Sequence, residues 1–460
     1  MIPNHNLHLD GHVPMNSMLS PRWQFDQLPM IGRTLSAYKQ DDLWEFDTRQ
    51  LPRPVRDIRR RARTFARHHL LPLAAERDQA PHLPAGEMHP KAQALLVEAG
   101  KQGWLSYFLP KPFGSMPLLA GTCPPILHAS LVVEEFSAAC GGLMLLLSAH
   151  HLGCMPILLS GELSSIRRFL LPMYKENQSG HPHLMAFAIT EPGAGSDAED
   201  GHGASYYRPG MVAKPVQGGW LLNGRKCFIS GGDVAKSLTV FAALEGEGMD
   251  SWTCFYVRNT DPGFKVTRTE LKMGMRASGA AELEFNDLFV PHENIIGGLR
   301  KGWALNRATL NTSRIPVASM AVGFARAATE TTLDFVRHYT LAGKPLIHYQ
   351  EVQLQIASML AETRAIRALI WQEARRCWQP RQLNASICKF HATDRAQKVC
   401  EMGLDLLAEH GMLHRHQVEK ILRDVRLTRI FEGTNQINRL AVIEDWQPQL
   451  LHPDHPFTGV

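Results

Sequence analysis

Two kinds of hydrophobic periodicity divide the chain. Over residues 47–184 apolar positions recur at helical spacing, starting with a basic, amphipathic stretch at 56–71 and broken by turns such as Pro110-Lys111-Pro112-Phe113-Gly114. Near Met185 the pattern changes to short apolar runs (MAFAIT, GWLLNG, LTVFAAL, TCFYV, AELEF) separated by Gly, Asp and Pro turns, which predicts an antiparallel β domain closing near Ile295-Ile296-Gly297-Gly298. Helical spacing then returns. Val352, Ile356, Met359, Thr363, Ile366 and Ile370 fall on one stripe, as do Val317, Met320, Phe324 and Ala327, and Val399, Met402 and Leu406. Long helices with such seams predict a four-helix bundle able to self-associate. The expected fold class is α+β: an N-terminal all-helical domain (47–184), a central antiparallel β domain (185–299) and a C-terminal four-helix bundle (300–447). An extension (1–46), rich in Pro, Met, His and Asn, and a tail (448–460) flank them.

Composition narrows the class. At about 150 residues per domain, 460 residues allow roughly three domains. A hydrophobic content of 44% excludes a wholly disordered chain, a collagen-like repeat and a disulfide mini-protein. The formal charge of +5 is too slight to argue for nucleic acid. Cys123, Cys140, Cys154, Cys227, Cys254, Cys377, Cys388 and Cys400 form no C-x-x-C pair and read as reduced, mostly buried thiols of a cytoplasmic protein. His150-His151 and His410, His414, His416 make no convincing ligand set, so no metal is expected. The start lacks the pattern of a signal or transit peptide. Residues 136–161 carry no formal charge, but Gly141, Gly142, His150, His151 and Pro156 interrupt them. A buried core helix with a turn is expected there, and no membrane span.

Three segments carry candidate chemistry. Thr190-Glu191-Pro192-Gly193-Ala194-Gly195-Ser196-Asp197-Ala198 follows an apolar strand, and its small residues let backbone approach a ligand while Thr190 and Ser196 offer hydroxyls. It spells G-x-G-x-x-A, yet the polar run after it cannot be the crossover helix of a dinucleotide fold. A decorated β-turn is the plainer reading. In Asn223-Gly224-Arg225-Lys226-Cys227-Phe228-Ile229-Ser230, Asn-Gly reads as a hairpin turn. Phe228 and Ser230 share a face by period two, suited to a flat heterocycle or to nothing more than a core Phe beside a surface Ser. Third, a basic helix running from Arg423 stops around Glu432-Gly433, where Gly can close the helix and project Glu432 from its end. A glutamate so placed is ordinarily just solvated.

Taken together, T-E-P-G-A-G-S-D and R-D-x-R-x-x-x-I-F-E-G-T, with Lys272-Met273-Gly274-Met275-Arg276-Ala277-Ser278, VPHENIIG and GKPLIHYQ, resemble the acyl-CoA dehydrogenase family over residues 50–447. The resemblance implies FAD between the β domain and the bundle, usually in a homotetramer of fatty acid metabolism. By position it assigns Phe187, Ile189, Thr190, Gly195, Ser196, Phe228, Ile229, Ser230, Gln350, Thr434 and Gln436 to FAD, with Asn435 beside them. It assigns Ser196, Asn311, Arg314, Phe431 and Gly433 to the acyl-CoA substrate. Glu432 matches the base that removes the α-proton while the β-hydride goes to flavin N5, and burial is expected to keep its pKa high. Some members carry the base immediately before the residue matching Arg314; here that is Ser313, which cannot serve. The implied electron acceptor is an electron-transfer flavoprotein or similar carrier.

Departures from the family pattern are also legible. An Arg that reaches the FAD pyrophosphate of a neighbouring subunit is replaced in Tyr339-Thr340-Leu341-Ala342-Gly343, and Asp405 and Glu409 stand in a second segment that contacts FAD in trans. Negative charge near a diphosphate is unfavourable. These changes imply a related partner subunit or weakly held FAD, and leave two alternatives: a flavin oxidase or monooxygenase on the same fold, or a low-activity subunit of a heteromeric dehydrogenase.

Overall fold

A computed structural model describes residues 29–31, 44–49, 51–81, 83–117, 123–196, 209–376 and 381–447. Most of the N-terminal extension, Asp197, Ala198, Cys377 and the C-terminal tail fall outside the described residues. The described residues up to Arg56, with the short helix Glu45–Arg49, belong to one compact unit, and the described residues from Asp57 onward to a second.

The order of elements is helical, then β, then helical. The first helical part contains α1 (Arg53–Phe65), α2 (Pro90–Lys101), α3 (Pro125–Ala139), α4 (Gly141–Ser148) and α5 (His150–Leu159). The uncharged stretch is α4 and α5: it is long and apolar enough to cross a membrane by length and composition, and 72% of its most apolar window is buried inside the fold.

Eight strands follow: β1 (Met185–Ala188), β2 (Val212–Val216), β3 (Gly219–Ser230), β4 (Ser237–Leu244), β5 (Thr253–Arg258), β6 (Phe264–Thr269), β7 (Ala280–Pro291) and β8 (Ile295–Ile296). They form one sheet in the order β6-β7-β3-β2-β4-β5-β8, with β1 also on β4. Pairing is antiparallel except that β1 and β2 each run parallel to β4. Neither β1 nor β2 reaches β4 by a hairpin, so parallel pairing is open to both.

The last part contains α6 (Gly302–His338), α7 (Gln350–Arg375), α8 (Gln382–Leu407), α9 (Val418–Leu427) and α10 (Asn435–Trp446). The predicted stripes on α6 and α7 are buried throughout, at about 1.5–3 kcal/mol for each large apolar side chain. On α8 the prediction is only partly right. Val399 is buried, but Met402 and Leu406 are half-buried, and the seam is Ala385, Ala392, Ala396, Val399 and Gly403. Small residues let α8 approach α6 closely: a Cβ on Gly403 would lie 2.7 Å from Thr332 Oγ1.

Charge joins the first helices to the last. Glu134 and Glu135 on α3 are fully buried, and burial alone would raise their pKa values, yet facing guanidiniums hold both below the carboxylate range. Arg367 and Arg59 reach Glu134 at 2.7 and 3.1 Å, while Arg59, Arg326 and Arg63 reach Glu135 at 2.7, 2.8 and 3.2 Å.

Candidate active site

The Gly-rich segment leaves β1 as a tight loop in which Glu191 and Ala194 exchange backbone hydrogen bonds. Glu191 is buried. Its carboxylate accepts from Lys226 Nζ at 2.7 Å and from the backbone N–H groups of Gly210 and Met211 at 2.7 and 3.2 Å. Lys226 Nζ also donates to the Ile189 carbonyl at 2.8 Å. Burial draws this ammonium below its ordinary pKa, and Glu191 opposes the shift. Cys227 N–H donates to the Thr190 carbonyl at 2.9 Å, so the first two motifs are fastened together.

Beyond that fastening β3 bulges between Lys226 and Ile229. Lys226 and Cys227 are both buried, and Phe228 takes φ +55° with its side chain 62% exposed. A bulky residue in this region costs about 1–2 kcal/mol, and an exposed aromatic does nothing to offset that. Ser230, half-buried, keeps the predicted parity with Phe228. Ile229, between them, is 2% exposed and packs its side chain into the core. Phe187 and Ile189 are half-buried on and just after β1. The exposed Phe228 ring and the hydroxyls of Thr190 and Ser230 fit a flat heteroaromatic group with a polar edge.

The third motif arrives from the bundle. α9 ends at Leu427, earlier than expected, because Thr428 Oγ1 bonds back to the Val425 carbonyl at 2.6 Å and the chain tightens into turns. Glu432 and Gly433 both take left-handed conformations, φ +53° and +82°. Thr434 then caps α10, its Oγ1 accepting from Ile437 N–H at 3.3 Å. Ser196 Oγ accepts from Thr434 N–H at 2.9 Å, which brings residues 238 apart together.

Buried side chains fix this turn. Lys389 Nζ donates to the Gly433 carbonyl at 2.6 Å and to Asn435 Oδ1 at 2.9 Å, and Asn438 Nδ2 adds a bond to the same carbonyl at 2.9 Å. Arg314, 1% exposed, donates from Nε to the Glu432 carbonyl at 3.4 Å and from Nη1 to Ser386 Oγ at 3.2 Å. The Glu432 carboxylate itself accepts a hydrogen bond from Ser313 on α6.

The structure therefore gathers Thr190, Ser196, Glu432, Gly433 and Thr434. Phe431 is half-buried in the same turn, and Asn311 is half-buried on α6, its Oδ1 without a hydrogen-bond partner among the described residues. Gln436 is exposed on α10, and Gln350 is exposed at the first position of α7, bonded to none of the gathered residues. Tyr339 stacks on Phe335 (centroids 5.0 Å apart) beside His410, and Asp405 and Glu409 are exposed. Sequence reasoning missed the roles of Lys389, Asn438 and the Glu191–Lys226 pair, and dismissed Ser313. Only Glu191 and Lys226 left a signal, as charges inside segments whose strands had to be buried.

Family models of the acyl-CoA dehydrogenase N-terminal, middle and C-terminal domains match residues 54–177, 186–288 and 300–446. The chain belongs to the acyl-CoA dehydrogenase family. That family consists of FAD-dependent oxidoreductases. The chain is 31% identical over 430 residues to a cyclohex-1-ene-1-carbonyl-CoA dehydrogenase of Syntrophus aciditrophicus (strain SB), covering 91% of this chain and 97% of the relative. Its fold matches butyryl-CoA dehydrogenase from Megasphaera elsdenii with a TM-score of 0.77 and 29% identity, over 87% of this chain and 99% of the other. An acyl-CoA dehydrogenase complexed with FAD from Bacillus anthracis matches with a TM-score of 0.76 and 25% identity, over 89% and 69% of the two chains.

Proposed function

We propose that this acyl-CoA dehydrogenase family member performs FAD-dependent α,β-dehydrogenation of an acyl-CoA thioester, with Glu432 as the base. The observation that carries the reading is the placement of Glu432: a carboxylate on a clamped left-handed turn, two positions before the Thr434 N–H that meets the Gly-rich loop. FAD, when bound, supplies the hydride acceptor for the β-hydrogen. Phe187, Thr190, Phe228 and Ser230 hold the ring system, and Ser196 and Thr434 fix the adjoining backbone. The Glu432 N–H polarises the thioester carbonyl, stabilising the charge that develops as its carboxylate takes the α-proton. Asn311 offers its Oδ1, which has no partner among the described residues, to a donor on the CoA moiety. An electron-transfer flavoprotein or similar carrier receives the electrons, and the chain works as a homo- or hetero-oligomer.

Anaerobic titration of the purified holoprotein with a panel of acyl-CoAs tests the assignment. The wild type bleaches the visible flavin absorbance, whereas Glu432→Gln retains flavin and bleaches at least about 1,000-fold more slowly, the scale of losing a positioned base. Equal rates would remove Glu432 from the mechanism. Flavin content of the chain purified alone tests the altered Tyr339, Asp405 and Glu409 positions: substoichiometric FAD is expected, and one tightly held FAD per chain would overturn a partner requirement.

A further inference from the structure

Ser313 has one side-chain proton and two acceptors within reach. Its Oγ bonds the Glu432 carboxylate and also lies 3.2 Å from the Leu310 carbonyl, three residues back on its own helix. It is 8% exposed, so water does not dominate its choice of partner. A hydroxyl donates once but accepts at its lone pairs. The two acceptors therefore suit two protonation states of one carboxyl group.

We propose that Ser313 is a positioning residue for Glu432, donating to the ionised carboxylate and turning its proton to the Leu310 carbonyl once Glu432 is protonated. This rests on Glu432 being the base. In the step served, the substrate α-C–H bond breaks, its electron pair stays on carbon, and an O–H bond forms on Glu432. Ser313 keeps its own proton throughout and then accepts from the new carboxylic O–H. The hydrogen bond favours the charged form and holds one carboxylate oxygen in place. The surrounding charged groups are Arg314 at the Glu432 carbonyl, Lys389 at the Gly433 carbonyl, and Asp394 with Arg429 and Arg439 beside Asn435. Substituting Ser313 leaves all of them in place.

The test follows α-deuterium wash-in to butyryl-, octanoyl- and palmitoyl-CoA in D2O by mass spectrometry, using flavin-replete protein across a pH series. Wild-type exchange that Glu432→Gln abolishes establishes the base. Ser313→Ala then moves the midpoint of the pH profile up by about one unit, ~10-fold in the ionisation equilibrium, and Ser313→Thr restores it. A serine that only packs would change folded yield or flavin content and leave the midpoint fixed. An unmoved Ser313→Ala midpoint, with Glu432-dependent exchange intact, overturns the positioning role alone. Absence of Glu432-dependent exchange in the wild type overturns the base assignment and this inference with it.

Discussion

Acid should weaken this fold well before its carboxylates are neutralised, through histidines buried in the first helices. His128 on α3 and His151 on α5 flank Tyr107, with ring centroids 6.3 and 4.6 Å from it. His151 Nδ1 lies 3.1 Å from the Ser148 carbonyl and so carries the proton of a neutral ring, while its Nε2 is buried with no hydrogen-bond partner among the described residues. Burial depresses both histidines from 6.5 to about 4, with Arg61 adding to the shift at His128 and the Ser148 carbonyl opposing it at His151. Burial also pushes His150 well down. Below pH 6.5 the unfolded chain takes up protons that the folded chain refuses. The contribution is therefore complete above 6.5, is lost as pH falls, and levels off below 4. His128 and His151 each remove about 2 kcal/mol between pH 8 and pH 5, about 4 kcal/mol together. Glu134 and Glu135, held below the ordinary range, stay ionised in that window. Urea unfolding at pH 8, 6.5 and 5 measures the loss. The double variant His128→Gln/His151→Gln is expected to lose about 4 kcal/mol less than wild type over this range; an equal loss in both would refute the reasoning.

Two further outcomes follow from strain and from buried charge. Phe228→Gly removes an unfavourable left-handed conformation and is expected to stabilise the flavin-free protein by up to about 1 kcal/mol while weakening FAD binding; thermal unfolding and flavin titration read the two effects, and tighter FAD binding would contradict the placement of the ring. Glu135→Gln leaves Arg59, Arg63 and Arg326 facing a neutral amide and is expected to cost about 3–5 kcal/mol in urea unfolding, so a change under 1 kcal/mol would show that these guanidiniums find other partners.

Periodicity carried the architecture wherever large residues make the contact. The α7 stripe from Val352 to Ile370 is buried as spaced. The α8 seam was misread because alanine and glycine contribute close approach rather than hydrophobic signal, and Met402 and Leu406 drew the stripe toward the wrong face. The site was legible as three pieces of local wording. What joins them was not: the Ser196–Thr434 bond spans 238 positions, and Lys389 lies on a helix that none of the motifs include. Helix α9 also ended early, because the hydroxyl of Thr428 competes for a carbonyl that propensity alone assigns to the helix.

The joining residues share one physical device. Lys226 donates to the Ile189 carbonyl, Lys389 to the Gly433 carbonyl and Arg314 to the Glu432 carbonyl, and all three cations are buried. Arg314 and Lys389 fix the carbonyls of the two left-handed residues Glu432 and Gly433, and Lys226, two positions before the left-handed Phe228, ties its strand to the chain leaving β1. A left-handed non-glycine costs about 1–3 kcal/mol and persists only where its surroundings over-determine it. A charged hydrogen bond to a carbonyl contributes about 1.5–3 kcal/mol, enough to hold such a turn against relaxation. Glycine at either position would relieve the strain but present no aromatic face and no carboxylate. The buried cations thus let the chain keep two side chains in conformations that packing alone would not select, and those two side chains are the ring and the base on which the proposed reaction depends.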